Sequence, residues 1–117
     1  LGAICKKRNV IFHTDAVQAI GHIPVNVIED NIDMLSASAH KFHGPKGVGF
    51  LYAKKGIKLI NLIEGGAQES GKRAGTENVA GISATATALS EANDNMSANI
   101  AHLTEMRDRL IEGLIKV

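Results

Sequence analysis

The sequence has 117 residues, of which 44% are hydrophobic and 21% charged, and its formal net charge is +1. This is the composition of a globular domain with one core, and its near-neutral charge gives no electrostatic footprint for nucleic acid or a membrane surface. No apolar run approaches the roughly 18 residues that a membrane span requires. The single Cys5 excludes an internal disulfide and fits a reducing, cytoplasmic compartment. We therefore expect neither nucleic-acid nor membrane partners.

The chain begins with what looks like the tail of a helix. Residues 1–8 predict that helix end, and Asn9 is a plausible cap. The run Val10-Ile11-Phe12 then predicts a buried parallel strand. Residues 19–32 predict a loop, and Asp33–Ser38 a second short strand. Because the helical pattern also continues to Val117, we expect this sequence to be a piece of a larger protein.

A glycine-rich turn at 44–47 separates the second strand from a third, alternating strand at 48–52. A turn this short favours an antiparallel return, because a parallel crossover needs a dozen or more residues. The glycine-rich stretch 64–78 predicts a mobile loop, and Thr76 is a natural N-cap for the helical pattern that follows it. Residues 93–95 interrupt that pattern before a second helix begins.

Lys41 follows the second predicted strand and is the centre of the candidate chemistry. A closed pocket disfavours the charged form of a lysine, so that its amine can condense with an aldehyde. Pyridoxal phosphate also needs a carboxylate at its pyridine nitrogen, a donor at its ring oxygen and several donors at its phosphate. Those side chains follow the same two strands, which should end at one edge of the sheet. They are Asp15, Gln18, Ser38 and His40.

Taken singly, these residues indicate little. Asp15 alone is more often a turn or cap residue, Gln18 a solvated side chain and Ser38 a small residue that satisfies backbone groups. A metal site is not expected. The ordered set is what favours a cofactor site: a strand with Asp-x-x-Gln, a strand with Ser-x-His-Lys, then a glycine turn and a strand.

Three motifs carry a resemblance to a known family: residues 12–18 (FHTDAVQ), residues 36–41 with 44–49 (SASAHK and GPKGVG), and residues 73–78 (RAGTEN). In this order and approximate spacing they resemble the cysteine desulfurases of the NifS type, pyridoxal-phosphate enzymes of the class-V aminotransferase group. The resemblance covers nearly the whole chain. The Arg-Ala-Gly-Thr form of the third motif is similar to the NifS-type branch.

The resemblance implies roles for single residues. Lys41 would hold the cofactor covalently and shuttle a proton, Asp15 would pair with the pyridine nitrogen and Gln18 would bond the ring oxygen. Ser38 and His40 would hold the phosphate, with His40 beside the catalytic lysine. Thr76 would reach the cofactor phosphate of the neighbouring subunit, since these enzymes are homodimers. On residues alone, Thr76 as a plain N-cap is an equally good interpretation.

The implied fold is α/β. It is part of the large domain of the aspartate-aminotransferase-like fold, with a mixed, mostly parallel sheet and helices, plus a long C-terminal connecting helix. Residues 1–92 would form the C-terminal half of the cofactor-binding large domain. Residues 93–117 would be the helix that leads to a small domain absent from this sequence.

The implied activity is the removal of sulfur from L-cysteine, giving L-alanine and an enzyme persulfide that is passed to an iron–sulfur scaffold or another sulfur acceptor. The cysteine nucleophile of the family has no counterpart here, because Cys5 precedes the first strand and is predicted to be a buried small residue. Selenocysteine lyase, another class-V aminotransferase, or a purely structural fragment are the alternatives. We expect the isolated chain to be inactive, since it carries about half of the pocket.

Overall fold

The computed structural model describes residues 1–116. Within them lie three strands, β1 (His13–Asp15), β2 (Met34–Ser38) and β3 (Gly49–Ala53), and a 3-10 helix at Ala39–Phe42. The α-helices are α1 (Gly2–Lys7), the short α2 (Gln68–Gly71), α3 (Val79–Asp94) and α4 (Met96–Ile115). The fold is therefore α/β, as predicted, with a long helix at the C-terminal end.

The first predicted strand is displaced by three residues from β1. Asn9 has a φ of 54° and ends α1 in the left-handed conformation of a helix cap, as predicted. The amide of Val10 donates to the carbonyl of Cys5 at 3.0 Å, so Val10 belongs to the end of the helix. Val10 and Ile11 are 56% and 61% exposed. The prediction of a buried strand at 10–12 was wrong, because the helix cap uses the backbone there.

The sheet has the order β1-β2-β3. β1 and β2 are parallel, with Asp15 opposite Ser36, and β2 and β3 are antiparallel, with Ser38 opposite Gly49. Both predicted directions are confirmed. A Cβ at Gly49 would lie 2.5 Å from the carbonyl oxygen of Ala37, so this register requires a glycine there.

Side chains alternate across β2, and this alternation divides the sheet into two faces. Leu35 and Ala37 are buried and form a core cluster with Ala16 and Ile32. The other face carries Ser36 and Ser38, which are half-buried. The polar side chains of β2 therefore share one face, and its apolar side chains share the other.

A second core cluster lies between the 3-10 helix and α3. Phe42 is 1% exposed and packs with Ala39 and Ala92. Gly21 also approaches it, because a Cβ at Gly21 would lie 2.7 Å from the Cβ of Phe42. This cluster holds the segment around Lys41 against α3.

The N-cap of α3 is Asn78, whose Oδ1 accepts a hydrogen bond from the amide of Gly81 at 3.0 Å. The prediction of Thr76 as this cap was wrong by two residues. Asn and Thr both cap helices well, and the pattern alone did not locate the first helical turn. The predicted interruption between the last two helices is confirmed at Asn95. The domain boundary at 92/93 stays a prediction.

Two further features complete the fold. Cys5 is half-buried on α1, not fully buried as predicted. Within residues 1–116, the helices are too short or too polar for any of them to cross a bilayer.

Candidate active site

The candidate site lies at the edge of the sheet where β1 and β2 end. Asp15 is the last residue of β1, and Ser38 is the last residue of β2. The two strands are parallel, and Asp15 lies opposite Ser36, two residues before Ser38, so both strands end at the same edge. The 3-10 helix begins immediately after Ser38 and carries His40 and Lys41. The structure thus brings the ends of the first two motifs together.

Asp15 is exposed, and its carboxylate is oriented by the turn that follows β1. Its Oδ1 accepts a hydrogen bond from the amide of Val17 at 3.0 Å. Within residues 1–116, Oδ2 has no hydrogen-bond partner, so this oxygen is available to a ligand. Gln18 is also exposed on the turn, and its side chain makes no hydrogen bond in the described part of the chain.

Ser38 and His40 form a pair. Oγ of Ser38 and Nδ1 of His40 are joined by a hydrogen bond of 2.9 Å, and His40 is exposed. The bond between them uses one hydrogen, so the neutral pair keeps one N–H or O–H that can donate to an oxygen of an anion, which is the chemistry that a phosphate needs.

Lys41 is half-exposed, and its ammonium group makes no hydrogen bond or ion pair among residues 1–116. Its backbone is held instead. His22 Nε2 donates to the carbonyl oxygen of Lys41 at 2.8 Å. Phe42, the next residue, is anchored in the core. The site therefore combines a fixed backbone with an uncommitted amine.

His22 was not singled out from the sequence. Its hydrogen bond ties the turn after β1 to the 3-10 helix, so the segment with Asp15 and Gln18 is linked to the segment with Lys41. The two bonded residues are separated by 19 positions. No local pattern could have indicated this pairing, because it depends on how the two segments fold together.

A second hydrogen bond joins the two strands directly behind the site. Nε2 of His13 and Oγ of Ser36 lie 2.8 Å apart. The first motif contains His13, but its pattern gave no indication of a partner. The alternation of serines along β2 was the only signal that could have suggested it.

Thr76 is not part of this group of side chains. It is exposed in the loop before α3, and its side chain makes no hydrogen bond in the described part of the chain. The role at a neighbouring subunit that the resemblance implied for Thr76 stays a prediction.

A cavity of about 480 Å³ lies at the opposite edge of the sheet. Its lining includes Asp33 before β2 and Lys54 after β3. The pKa of Asp33 is lowered, chiefly because the amide of Phe12 donates to its carboxylate; burial opposes this effect, and Lys54 adds to it. This cavity is distant in the fold from the ends of β1 and β2, so it is separate from the candidate site.

Comparison with known proteins supports the family that the three motifs indicated. A model of the family "Aminotransferase class-V" matches residues 1–117. The chain is 56% identical over 114 residues to a protein of Clostridium botulinum strain Hall named cysteine desulfurase IscS. It is 52% identical over 117 residues to a protein of the same name from Methanosarcina thermophila. These matches cover 97% and 100% of this chain and 29% of each relative.

Solved structures agree with this comparison. A "NifS-like protein" is similar with a TM-score of 0.91 and 45% identity, over 97% of this chain and 31% of that one. A NifS-like protein from Rickettsia africae has a TM-score of 0.95 and 34% identity, over 99% of this chain and 32% of that one. The structure titled "SspA in complex with cysteine" has a TM-score of 0.73 and 41% identity, over 76% of this chain and 26% of that one.

Proposed function

Because the chain belongs to the class-V aminotransferase family, we propose that it is the lysine-bearing part of a cysteine desulfurase that releases sulfur from L-cysteine. One observation carries the proposal. Two neighbouring parallel strands end at one sheet edge with Asp15 and Ser38, and His40 and Lys41 come directly after the second strand. The chain that carries them is 56% identical to a protein named cysteine desulfurase.

The donor set of the site fits pyridoxal phosphate, the cofactor on which this family depends. Oδ2 of Asp15 is uncommitted and can pair with a protonated pyridine nitrogen. The Ser38–His40 pair offers a donor to a phosphate, because its internal bond uses only one of its two hydrogens. Gln18 offers an amide donor to a ring oxygen. Lys41 offers an amine without competing partners in residues 1–116. When bound, the cofactor withdraws electrons from the substrate, which makes the bonds around the substrate α-carbon easier to break.

The residues of this chain would contribute binding, orientation and proton transfer. The Asp15 carboxylate would keep a proton on the pyridine nitrogen by stabilising its positive charge. The Lys41 amine would hold the aldehyde group of the cofactor covalently and would move a proton at Nζ once it is free. Its backbone is held on both sides, by the His22 hydrogen bond and by Phe42, and this preorganisation limits the positions that Nζ can reach.

The complete reaction would end with L-alanine and a persulfide on a cysteine outside these 117 residues. Cys5 does not suit that role, because it lies on α1, a helix that contributes Lys6 to the cavity at the opposite edge of the sheet. The proposed partners are L-cysteine, an iron–sulfur scaffold or another sulfur acceptor, and a second subunit to which Thr76 would contribute. The proposed location is the cytoplasm.

A test of the activity uses the longer enzyme that carries residues 1–117. We expect it to release sulfide and alanine from L-cysteine, and Lys41→Ala to abolish this release together with the visible absorption of the bound cofactor. Lys46→Ala is the matched control, because Lys46 is an exposed lysine of the neighbouring turn. Full activity in Lys41→Ala would contradict the proposal. A strong preference for selenocysteine would favour the lyase alternative.

The isolated chain provides a second test. Asp15, Gln18 and His40 are exposed, so the site as it stands is open to solvent on one side. We propose that the chain alone binds the cofactor weakly and is inactive. Titration with pyridoxal phosphate, followed by visible absorption, measures this affinity. Binding as tight as that of a complete enzyme, lost in Lys41→Ala, would refute the proposal of an inert fragment.

A further inference from the structure

The hydrogen bond between His13 and Ser36 is not explained by the roles given above. It joins side chains of β1 and β2 across 23 positions at a distance of 2.8 Å. The backbone ladder already pairs these strands, with the amide of Ala16 donating to the carbonyl of Ser36 at 3.0 Å. The strands are therefore paired without the side-chain bond, which instead orients the side chains next to it.

Those groups belong to the candidate site. His13 and Asp15 lie on the same face of β1, because side chains two positions apart in a strand point the same way. Ser36 is the partner of Asp15 in the register of the parallel pair, and it shares its face with Ser38. Ser36 thus lies beside Asp15, and His13, two residues before Asp15, reaches diagonally across to Ser36, so that the His13–Ser36 pair forms a row next to Asp15 and Ser38.

This row lies on the open face of the sheet, while the other face is packed. Leu35 and Ala37, which flank Ser36 on β2, are buried in the core. His13 and Asp15 are exposed in this chain. The imidazole of His13 is the largest side chain of the row, and its bond to Ser36 prevents it from turning away from the sheet.

We propose that His13 is a positioning residue for Asp15. Held by Ser36, its ring forms a wall behind the Asp15 carboxylate, which is otherwise oriented by the single bond from the Val17 amide to Oδ1. The wall limits rotation of the carboxylate and keeps Oδ2 directed at the pyridine nitrogen of the cofactor. This inference rests on the proposed function, because it concerns the residue that would hold that nitrogen.

The test measures the release rate of the cofactor from the longer enzyme, by the loss of its visible absorption after transfer to a trap. Release should be roughly two- to tenfold faster in His13→Ala, the range expected from one hydrogen bond. Ser36→Ala, which removes only a hydroxyl, should give the same acceleration. His13→Gln restores an amide near the position of Nε2 and should release the cofactor at nearly the original rate.

A double-mutant cycle separates positioning from general stability. If His13 acts through Asp15, His13→Ala should add no acceleration to Asp15→Asn. A merely structural role would accelerate release equally in both backgrounds, and that result would overturn the proposal. Leu51→Ala is the control, since Leu51 pairs with Ser36 from β3 without a polar side chain, and it should leave the release rate unchanged.

The proposed function and the positioning role of His13 can be refuted separately. If the unmodified enzyme shows no Lys41-dependent cofactor absorption, the proposed function fails, and this inference fails with it. If that absorption is present but neither His13→Ala nor Ser36→Ala changes the release rate, only the positioning role is refuted. Should His13→Ala fold poorly, Ser36→Ala alone and combined with Asp15→Asn decides the question.

Discussion

The position of Lys41 depends on Phe42, so truncation of this side chain tests the packing between the 3-10 helix and α3. Phe42 is 1% exposed and contacts Ala39 and Ala92. In Phe42→Ala the two alanines are too small to fill the space, and the partly buried Ile20, Val48 and Leu89 around them would lose contacts. Substitutions of this kind cost about 3–5 kcal/mol of unfolding free energy.

This loss is large for the present chain. A protein of this length has an unfolding free energy of about 6–18 kcal/mol by the usual per-residue range. The radius of gyration is 17.8 Å, whereas a compact domain of this length has about 13 Å. The chain therefore buries less surface than usual, and its stability should be at the low end of that range. We expect Phe42→Ala to remove at least about half of it.

Urea unfolding, followed by circular dichroism, measures the change. With an m-value of roughly 1–3 kcal/mol per M, the midpoint should fall by at least about 1 M. Phe50→Ala is the matched control, because Phe50 is 37% exposed on β3. It should cost only about 1–2 kcal/mol. Equal losses in the two variants would refute the assignment of Phe42 as the anchor of this segment.

Two further predictions concern Asp33 and the cap of α3. The lowered pKa of Asp33, due first to the hydrogen bond from the Phe12 amide, means that its ionised form is stabilised by folding. That contribution is complete above the unfolded pKa of about 3.9 and is lost as the pH falls through the lower folded value. Asp33→Asn should therefore make unfolding free energy less dependent on pH below about 4, and an unchanged slope would contradict the prediction. Asn78→Ala should cost about 1 kcal/mol in urea unfolding, whereas Thr76→Ala, at the cap position predicted from sequence, should cost little, and the reverse order would contradict the structural assignment.

Much of the candidate site could be predicted from local patterns. Short apolar segments followed by polar residues indicated strands with functional ends, and the brief glycine turn indicated an antiparallel return, which β2 and β3 confirm. The motifs around Asp15 and Lys41 indicated a family because they depend on residue types in a fixed order. That information is contained in the sequence itself.

Pairings between distant positions could not be predicted in the same way. The bonds from His22 to Lys41 and from His13 to Ser36 span 19 and 23 positions. Each depends on the register of β1 against β2, and a shift by one residue would turn every side chain of the moved strand to the other face. The error at Val10 has a related cause, since the cap of α1 uses a backbone amide that the apolar pattern had assigned to the sheet.

The sequence by itself determined which groups are available for chemistry: a lysine, a carboxylate, a serine and a histidine, each at or just after the end of a strand. Only the tertiary structure decided how they are held. Parallel register brings Asp15 beside Ser36, and the burial of Phe42 fixes the backbone of Lys41. The physical reason is that residue types are local properties, whereas register and burial are set by contacts among segments far apart in the chain.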